Sequence, residues 1–238
     1  LIMKPFADMN NDNYYLVMPA SGIGKRMKSE TPKQYLKLSN GLTIIDQCLK
    51  TFLKVDAISG FVIALSEKDT LFKSSIYFKH SKMLATAKGG KERFHSVLNA
   101  LNSLSSVAKP NDWVLVHDSV RPCVKKTDIE VLINEVSNHQ TGGILVTSVV
   151  DTIKQVSNDG EVSTIDRKKL YKAQTPQMFR FGILKDALDN ALKLGNHITD
   201  ESEAIENLGY SIKIVVGSSS NIKITQIDDL EQANHYLQ

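Results

Sequence analysis

Pro19-Ala20-Ser21-Gly22-Ile23-Gly24-Lys25-Arg26-Met27, continuing to Pro32-Lys33-Gln34, is the stretch on which the reading of this chain turns. It follows an apolar run from Tyr14 to Met18, whose pattern predicts a buried first strand. A small, glycine-punctuated turn straight after a strand lets backbone N–H groups approach a phosphate chain without interference from Cβ. Lys25, Arg26 and Lys33 then place three cations within nine positions. That grouping suits a polyphosphate ligand and the charge that develops when one of its phosphoryl bonds breaks. Two familiar glycine motifs do not fit. The P-loop needs a Gly-Lys-Ser/Thr ending, and the dinucleotide fingerprint needs a third small residue where Met27 stands.

Beyond the loop, strand-like and helix-like segments alternate. Ile44, Ile45, Cys48, Leu49, Phe52 and Leu53 recur at helical spacing. Phe61 to Leu65 predicts a short buried strand, Asp69 to His80 a weaker helix, and Met83 to Ala87 another strand. Gly89-Gly90 turns the chain into a helix with Phe94, Val97, Leu98, Leu101 and Leu104 on one face. Trp113 to Val116 predicts a strand ending at His117-Asp118, and Thr127 a helix cap before Ile129, Leu132, Ile133 and Val136. Gly142-Gly143 introduces a strand from Ile144 to Val150. Such alternation indicates βαβ units and a mainly parallel sheet with helices on both faces. Ligands of these sheets sit at the carboxyl ends of the strands. The Gly22 loop, the Gly89-Gly90 turn and Asp118 should therefore line one crevice.

The pattern breaks between Asp151 and Gln174. Thr152 to Val156 and Val162 to Ile165 each alternate around the turn signal Asn158-Asp159-Gly160, predicting an antiparallel ribbon. An isolated two-stranded ribbon is marginal in water. It packs either on a second subunit or back on its own domain, and the pattern does not choose. After Thr175-Pro176-Gln177 a helix is expected with Phe181, Leu184, Leu188, Ala191 and Leu192 inward. Thr199-Asp200-Glu201-Ser202 reads as the N-cap and first turn of a helix ending near Gly209. Ser211 to Val216 predicts a late strand, and a last helix begins near Asp228.

Bulk properties narrow the function classes. The 238 residues suffice for one good core. A net charge of +3 is too small to point to nucleic acid or a membrane surface. Lys125-Lys126 and Lys168-Lys169 read as solvated surface. Cys48 and Cys123 are far apart and lack metal-ligand spacing, which suits free thiols in a reducing cytoplasm. No apolar run approaches the roughly 20 residues of a membrane span. Residues 1–13 read as a flexible tail, with Met3 a candidate natural start, ahead of a single domain at 14–238 with an arm at about 151–172.

Taken in order, the motifs resemble the 2-C-methyl-D-erythritol 4-phosphate cytidylyltransferase family. The likeness runs from about Tyr14 to Leu237 through residues 19–27, Pro-Lys-Gln-Tyr (32–35), Gly-Gly-Lys-Glu-Arg-Phe-His-Ser-Val (89–97) and Val-His-Asp-Ser-Val-Arg-Pro (116–122). It continues through Asp-Thr-Ile-Lys (151–154), Asp-Arg (166–167), Ala-Gln-Thr-Pro-Gln (173–177), Thr-Asp-Glu (199–201) and Asn-Ile-Lys-Ile-Thr (221–225). The resemblance implies a Rossmann-like sheet of the nucleotide-diphospho-sugar transferase type, with the ribbon as a dimerisation arm. It implies transfer of CMP from CTP to 2-C-methyl-D-erythritol 4-phosphate, with release of pyrophosphate, for isoprenoid precursors.

The same resemblance assigns roles. Arg26 and Lys33 match the transition-state cations, and Arg167 and Lys223 would aim the attacking phosphate. Ala20, Ser21, Gly22, Gly24 and Lys25 would cover the nucleotide, with Gly90, Arg93 and Ser96 around cytosine and ribose, and Asp118 and Ser119 in the same CTP crevice. Thr152, Arg167, Thr175 and Lys223 would hold the polyol phosphate, in a site shared across a homodimer. Mg²⁺ is implied on the triphosphate, with Asp118 the candidate carboxylate for it; as an alternative, Asp118 caps its turn. Arg93 and Arg121 are either nucleotide contacts or structural partners of strand-end carboxylates. Lys91 departs from the family, where an acid is frequent, and Ser21 and Ser119-Val120 stand where alanines are common. The rival within the same chemistry is a ribitol 5-phosphate cytidylyltransferase, against which Pro19-Ala20-Ser21 argues. A non-catalytic nucleotide-binding module is the rival outside it, against which Arg26, Lys33 and Lys223 argue.

Overall fold

The computed structural model of the chain describes residues 12–22 and 31–238. Gly24, Lys25 and Arg26 lie outside the described residues, as do residues 1–11 of the expected tail.

The first strand is β1 (Tyr14–Ala20), followed by α1 (Ile44–Phe52), β2 (Ile58–Leu65), β3 (Met83–Lys88), α2 (Arg93–Leu104) and β4 (Trp113–Val116). Then come α3 (Lys126–Val136), β5 (Gly142–Ser148), the ribbon strands β6 (Ile153–Val156) and β7 (Val162–Ile165), and β8 (Tyr171–Arg180). The chain closes with α4 (Phe181–Leu194), α5 (Glu201–Glu206), β9 (Lys213–Val216) and α6 (Ile227–Tyr236). The seven-stranded sheet has the order β3-β2-β1-β4-β8-β5-β9. All its pairings are parallel except those of β8, which runs antiparallel between β4 and β5.

Period-two alternation in β1 divides the core. Leu16 and Met18 pack with α1 and α3 through Cys48, Leu49, Phe52, Ile129 and Leu132. Tyr15 and Val17 pack on the other face with α2 and α4 through Val97, Leu101, Leu184 and Leu188. A smaller cluster of Leu38, Ile44, Val120, Cys123, Ile224 and Ala233 seats α6 beside the carboxyl end of β4. Helices thus cover both faces, and the strand ends that carry the glycine turns remain open.

Four sequence expectations need correction. The segment 69–80 is a 3-10 turn (Phe72–Ser74) with loops: Asp69 Oδ1 caps its start by accepting from the N–H groups of Leu71 and Phe72, and the chain turns extended at Ser75, whose hydroxyl donates to Asp46 Oδ1 and accepts the Tyr77 N–H. The N-cap of α3 is Lys125 and not Thr127. Leu192 faces solvent. The fourth is the omission of β8 as a strand. Its buried Gln174, Thr175 and Gln177 do not read as strand core, yet each polar group is paired inside the fold. Gln177, for example, donates to Asp200 Oδ2 at 2.9 Å and accepts from the Ser202 N–H at 2.9 Å. The ribbon β6–β7 forms as expected around Gly160 (φ +90°), and it is a separate two-stranded sheet exposing Val156 and Val162.

Candidate active site

The carboxyl ends of β1 and β4, the turn after β3 and the loop before α6 enclose a crevice of about 600 Å³. Its lining includes Ser21, Gly22, Lys33, Gly90, Lys91, Arg93, Asp118, Ser119 and Lys223. The turns that converge there are stitched together. Ser96 Oγ lies 2.9 Å from Ser21 Oγ and accepts from the Gly90 N–H at 3.0 Å. Ser119 Oγ donates to the Pro19 carbonyl at 3.0 Å, and Gln34 Nε2 donates to the Ala20 carbonyl at 2.7 Å. Gly89 and Gly90 are required by this closeness. A Cβ at Gly89 would run into Ser21 Cβ, and one at Gly90 into His95 Cβ. The turn then enters α2, whose first turn is closed by a reciprocal capping box between Glu92 and His95. Lys91, Glu92 and Arg93 line the crevice, so the N-terminus of α2 faces it, where a helix dipole favours negative charge.

Asp118 is the electrostatic centre. Its Oδ1 takes Arg93 Nε at 2.8 Å, and its Oδ2 takes Lys223 Nζ at 2.9 Å and Arg121 Nε at 3.4 Å. Burial pushes its carboxyl up, but Arg93, Lys223 and Arg121 together outweigh this and hold it well below the usual carboxylate range. Arg93 also reaches Glu201 Oε1 at 2.6 Å. Glu201 is wholly buried at the first position of α5, and there desolvation wins over Arg93, so its carboxyl is raised. Arg121 Nη1 donates to the Asn221 carbonyl at 2.8 Å, and Lys33 Nζ to the Ile224 carbonyl at 3.1 Å. Together they tie the 221–224 loop to the crevice floor.

Most of the expected nucleotide residues are brought together here. Ser21, Gly22, Gly90, Arg93, Asp118 and Ser119 line the crevice with Lys33 and Lys223. Ala20 and Ser96 are buried just behind it as bracing groups. Thr175 is buried beneath Asp118, whose N–H it accepts at 3.0 Å. Thr152 and Arg167 lie elsewhere, exposed on the ribbon, with Arg167 Nη1 donating to the Val150 carbonyl. Glu201 and His117 were not singled out as site residues. Glu201 carried a signal, an acid directly after the Asp200 N-cap in a chain position that the fold buries.

A divalent ion finds no cage in these side chains. Among the described residues, no three His, Cys, Asp or Glu groups converge. Asp118 already has both oxygens facing cations, which suits an ion-pair hub rather than a metal ligand.

A doubly covered, mainly parallel sheet with a cation-lined crevice at its strand ends defines an α/β protein built to take a phosphate-bearing ligand. Residues 14–238 match the family model of IspD, 2-C-methyl-D-erythritol 4-phosphate cytidylyltransferase. A protein of that name from Vesicomyosocius okutanii is 54% identical over 238 residues, covering 96% of this chain and 98% of the relative. One from Vibrio vulnificus is 46% identical over 222 residues, covering 93% of each. The crystal structure of the Francisella tularensis enzyme of that name superposes with a TM-score of 0.80 at 39% identity, covering 94% of this chain and all of that one. The chain belongs to the 2-C-methyl-D-erythritol 4-phosphate cytidylyltransferase family and is a nucleotidyltransferase.

Proposed function

We propose that this chain transfers CMP from CTP to 2-C-methyl-D-erythritol 4-phosphate, forming 4-diphosphocytidyl-2-C-methyl-D-erythritol and pyrophosphate for isoprenoid biosynthesis. The observation that carries this reading is the crevice itself. Arg93 and Lys223 pair with Asp118, and Lys33 lines the same crevice, at the strand ends of a chain matched to the family over residues 14–238.

The attacking phosphate is ionised at neutral pH, so the site needs no strong general base. What it supplies is in-line positioning and preorganised positive charge at the α-phosphate and the leaving pyrophosphate. Lys33 serves that role from within the crevice, and Arg26 is assigned to it by the family resemblance. Arg has a planar fork of donors and Lys a mobile point charge, so the two complement each other on a phosphate chain. Ser21, Gly22 and the Gly90 turn cover the nucleotide, with Lys25 and Gly24 assigned by resemblance alone. Lys223 faces the polyol phosphate. Mg²⁺ remains part of the proposal, with no group of three acidic, His or Cys side chains to hold it among the described residues, and the compartment proposed is the cytoplasm. Among the described residues, no helix is long and apolar enough to cross a membrane.

Residues 14–238 are read as one catalytic domain whose 151–172 arm serves a homodimer. The crevice lining, among the described residues, contains neither Thr152 nor Arg167, while the ribbon that carries them exposes Val150, Val156 and Val162. A second subunit's arm would cover that apolar surface and complete the site. Mixing Arg26→Ala with Arg167→Ala protein should return activity in heterodimers. Confirmed subunit exchange without activity would refute the shared site.

The transfer itself is tested with CTP labelled at the α- or the γ-phosphate. The α label should move to the polyol product and the γ label to pyrophosphate. Label in free CMP without the polyol product would refute the transfer.

A further inference from the structure

His117 follows β4 and is fully buried, with its ring 4.8 Å from that of Phe52. Its Nε2 lies 3.1 Å from the Arg121 carbonyl oxygen, and its Nδ1 lies 3.1 Å from Thr175 Oγ1. A carbonyl only accepts, so Nε2 carries the hydrogen. Burial is the largest influence on the ring and lowers its pKa; with the neighbouring Asp118 raising it and the Arg121 guanidinium lowering it, the value falls to about 3. The ring is therefore neutral and Nδ1 presents a bare lone pair. It follows that Thr175 donates its hydroxyl hydrogen to Nδ1 while accepting the Asp118 N–H at 3.0 Å. The circuit closes where the Arg121 N–H donates to the Asp118 carbonyl at 3.1 Å.

This circuit constrains what Thr175 can do. Its one hydrogen is engaged by His117 in this structure. It acts from behind Asp118, fixing the backbone from which that carboxylate reaches Arg93 and Lys223. Packing alone does not require an imidazole here, since a phenyl ring would also fill the space beside Phe52. What requires it is a donor on one edge and an acceptor on the other, both buried, where an unmet partner is costly.

We propose that His117 is a positioning residue for nucleotidyl transfer, acting through Thr175 on Asp118 and so on the placement of Arg93 and Lys223. The proposal rests on the crevice being the transfer site.

The test is a double-mutant cycle of His117→Phe, Thr175→Val and both together, followed by steady-state kinetics and thermal unfolding. Each single substitution should lower kcat/KM by about tenfold or more, as expected for one buried polar group left unmet. The double variant should fall no further than the worse single one, because both remove the same link. His117→Asn, which keeps an acceptor near the Nδ1 position for Thr175, should recover more activity than His117→Gln, which keeps only the donor toward Arg121. Additive losses in folded variants, or full activity in His117→Phe, overturn the proposal. If His117→Phe does not fold, the Asn and Gln variants decide, and Gln equal to or better than Asn overturns it. If the wild-type protein binds CTP but transfers to no polyol phosphate, the functional reading fails separately. The His117 circuit is then read by calorimetry, where His117→Phe should weaken CTP binding about tenfold. Unchanged affinity would overturn it.

Discussion

Asp118→Asn removes the anion that three cations share and leaves a side chain of almost the same shape. In the folded protein the carboxylate is 8% exposed, against 24% for Arg93, 12% for Arg121 and 41% for Lys223. The Lys223 pair is screened by solvent and contributes little to stability. The two arginine pairs are largely buried, and breaking a buried pair costs about 3–5 kcal/mol. Glu201 still gives Arg93 an anion at 2.6 Å, and the Asn oxygen still accepts one hydrogen bond. The lower end, about 3 kcal/mol, is therefore expected, which lowers Tm by about 6–12 °C in a domain of this size. The pH dependence has a definite sign. The folded-state pKa is depressed, so the carboxylate stabilises the fold fully above its unfolded value of about 4. That contribution is lost as pH falls from there toward the depressed folded value. Calorimetric unfolding of both proteins should show the full difference at pH 7 and a shrinking one below about pH 4. An Asn variant as stable as the wild type, or a difference independent of pH, would refute the hub.

Three further outcomes follow from the same geometry. Glu201→Gln should cost less than half as much stability as Asp118→Asn at pH 7, because burial already disfavours the Glu201 charge; its deficit should narrow as pH rises from about 4, and an equal or widening deficit in thermal unfolding would contradict this. Lys33→Ala should reduce turnover about a hundredfold or more by removing one preorganised cation, with circular dichroism unchanged; a loss under tenfold would remove Lys33 from the mechanism. Gly143→Ala should destabilise by about 1–3 kcal/mol, since its Cβ would stand 2.5 Å from the Lys213 carbonyl and 2.8 Å from Val136 Cγ2 between β5 and β9; denaturant unfolding at wild-type stability would show that the β5–β9 contact is looser than described.

Much of this arrangement was legible in the residues. The run Tyr14–Met18 reads as β1 because it is buried on both faces, and Gly89-Gly90 marks a turn too tight for a Cβ. The rule that ligands gather at strand ends places Gly22, Gly90 and Asp118 in one crevice, and all three line it. What escaped was polar and buried. β8 sits in the middle of the sheet, but Gln174, Thr175 and Gln177 break its apolar pattern, and their partners on the 218–221 loop and on α5 are distant in sequence. The same property hid His117 and Glu201, whose partners are tertiary. The expected helix at 69–80 stops after one turn at Ser75, whose extended backbone and hydroxyl bonds to Asp46 and to the Tyr77 N–H carry the chain out of the helical path. The arm was legible as a ribbon from its alternation around Gly160, whereas its relation to a second subunit is not a property of one chain's pattern.

The central claim is tested most directly by pyrophosphate release from CTP and Mg²⁺, with 2-C-methyl-D-erythritol 4-phosphate and ribitol 5-phosphate offered separately. The account predicts release with the methylerythritol phosphate and none above background with the ribitol phosphate. Release with ribitol 5-phosphate alone would contradict the substrate assignment, and release with neither, from a protein that binds CTP, would contradict catalysis itself.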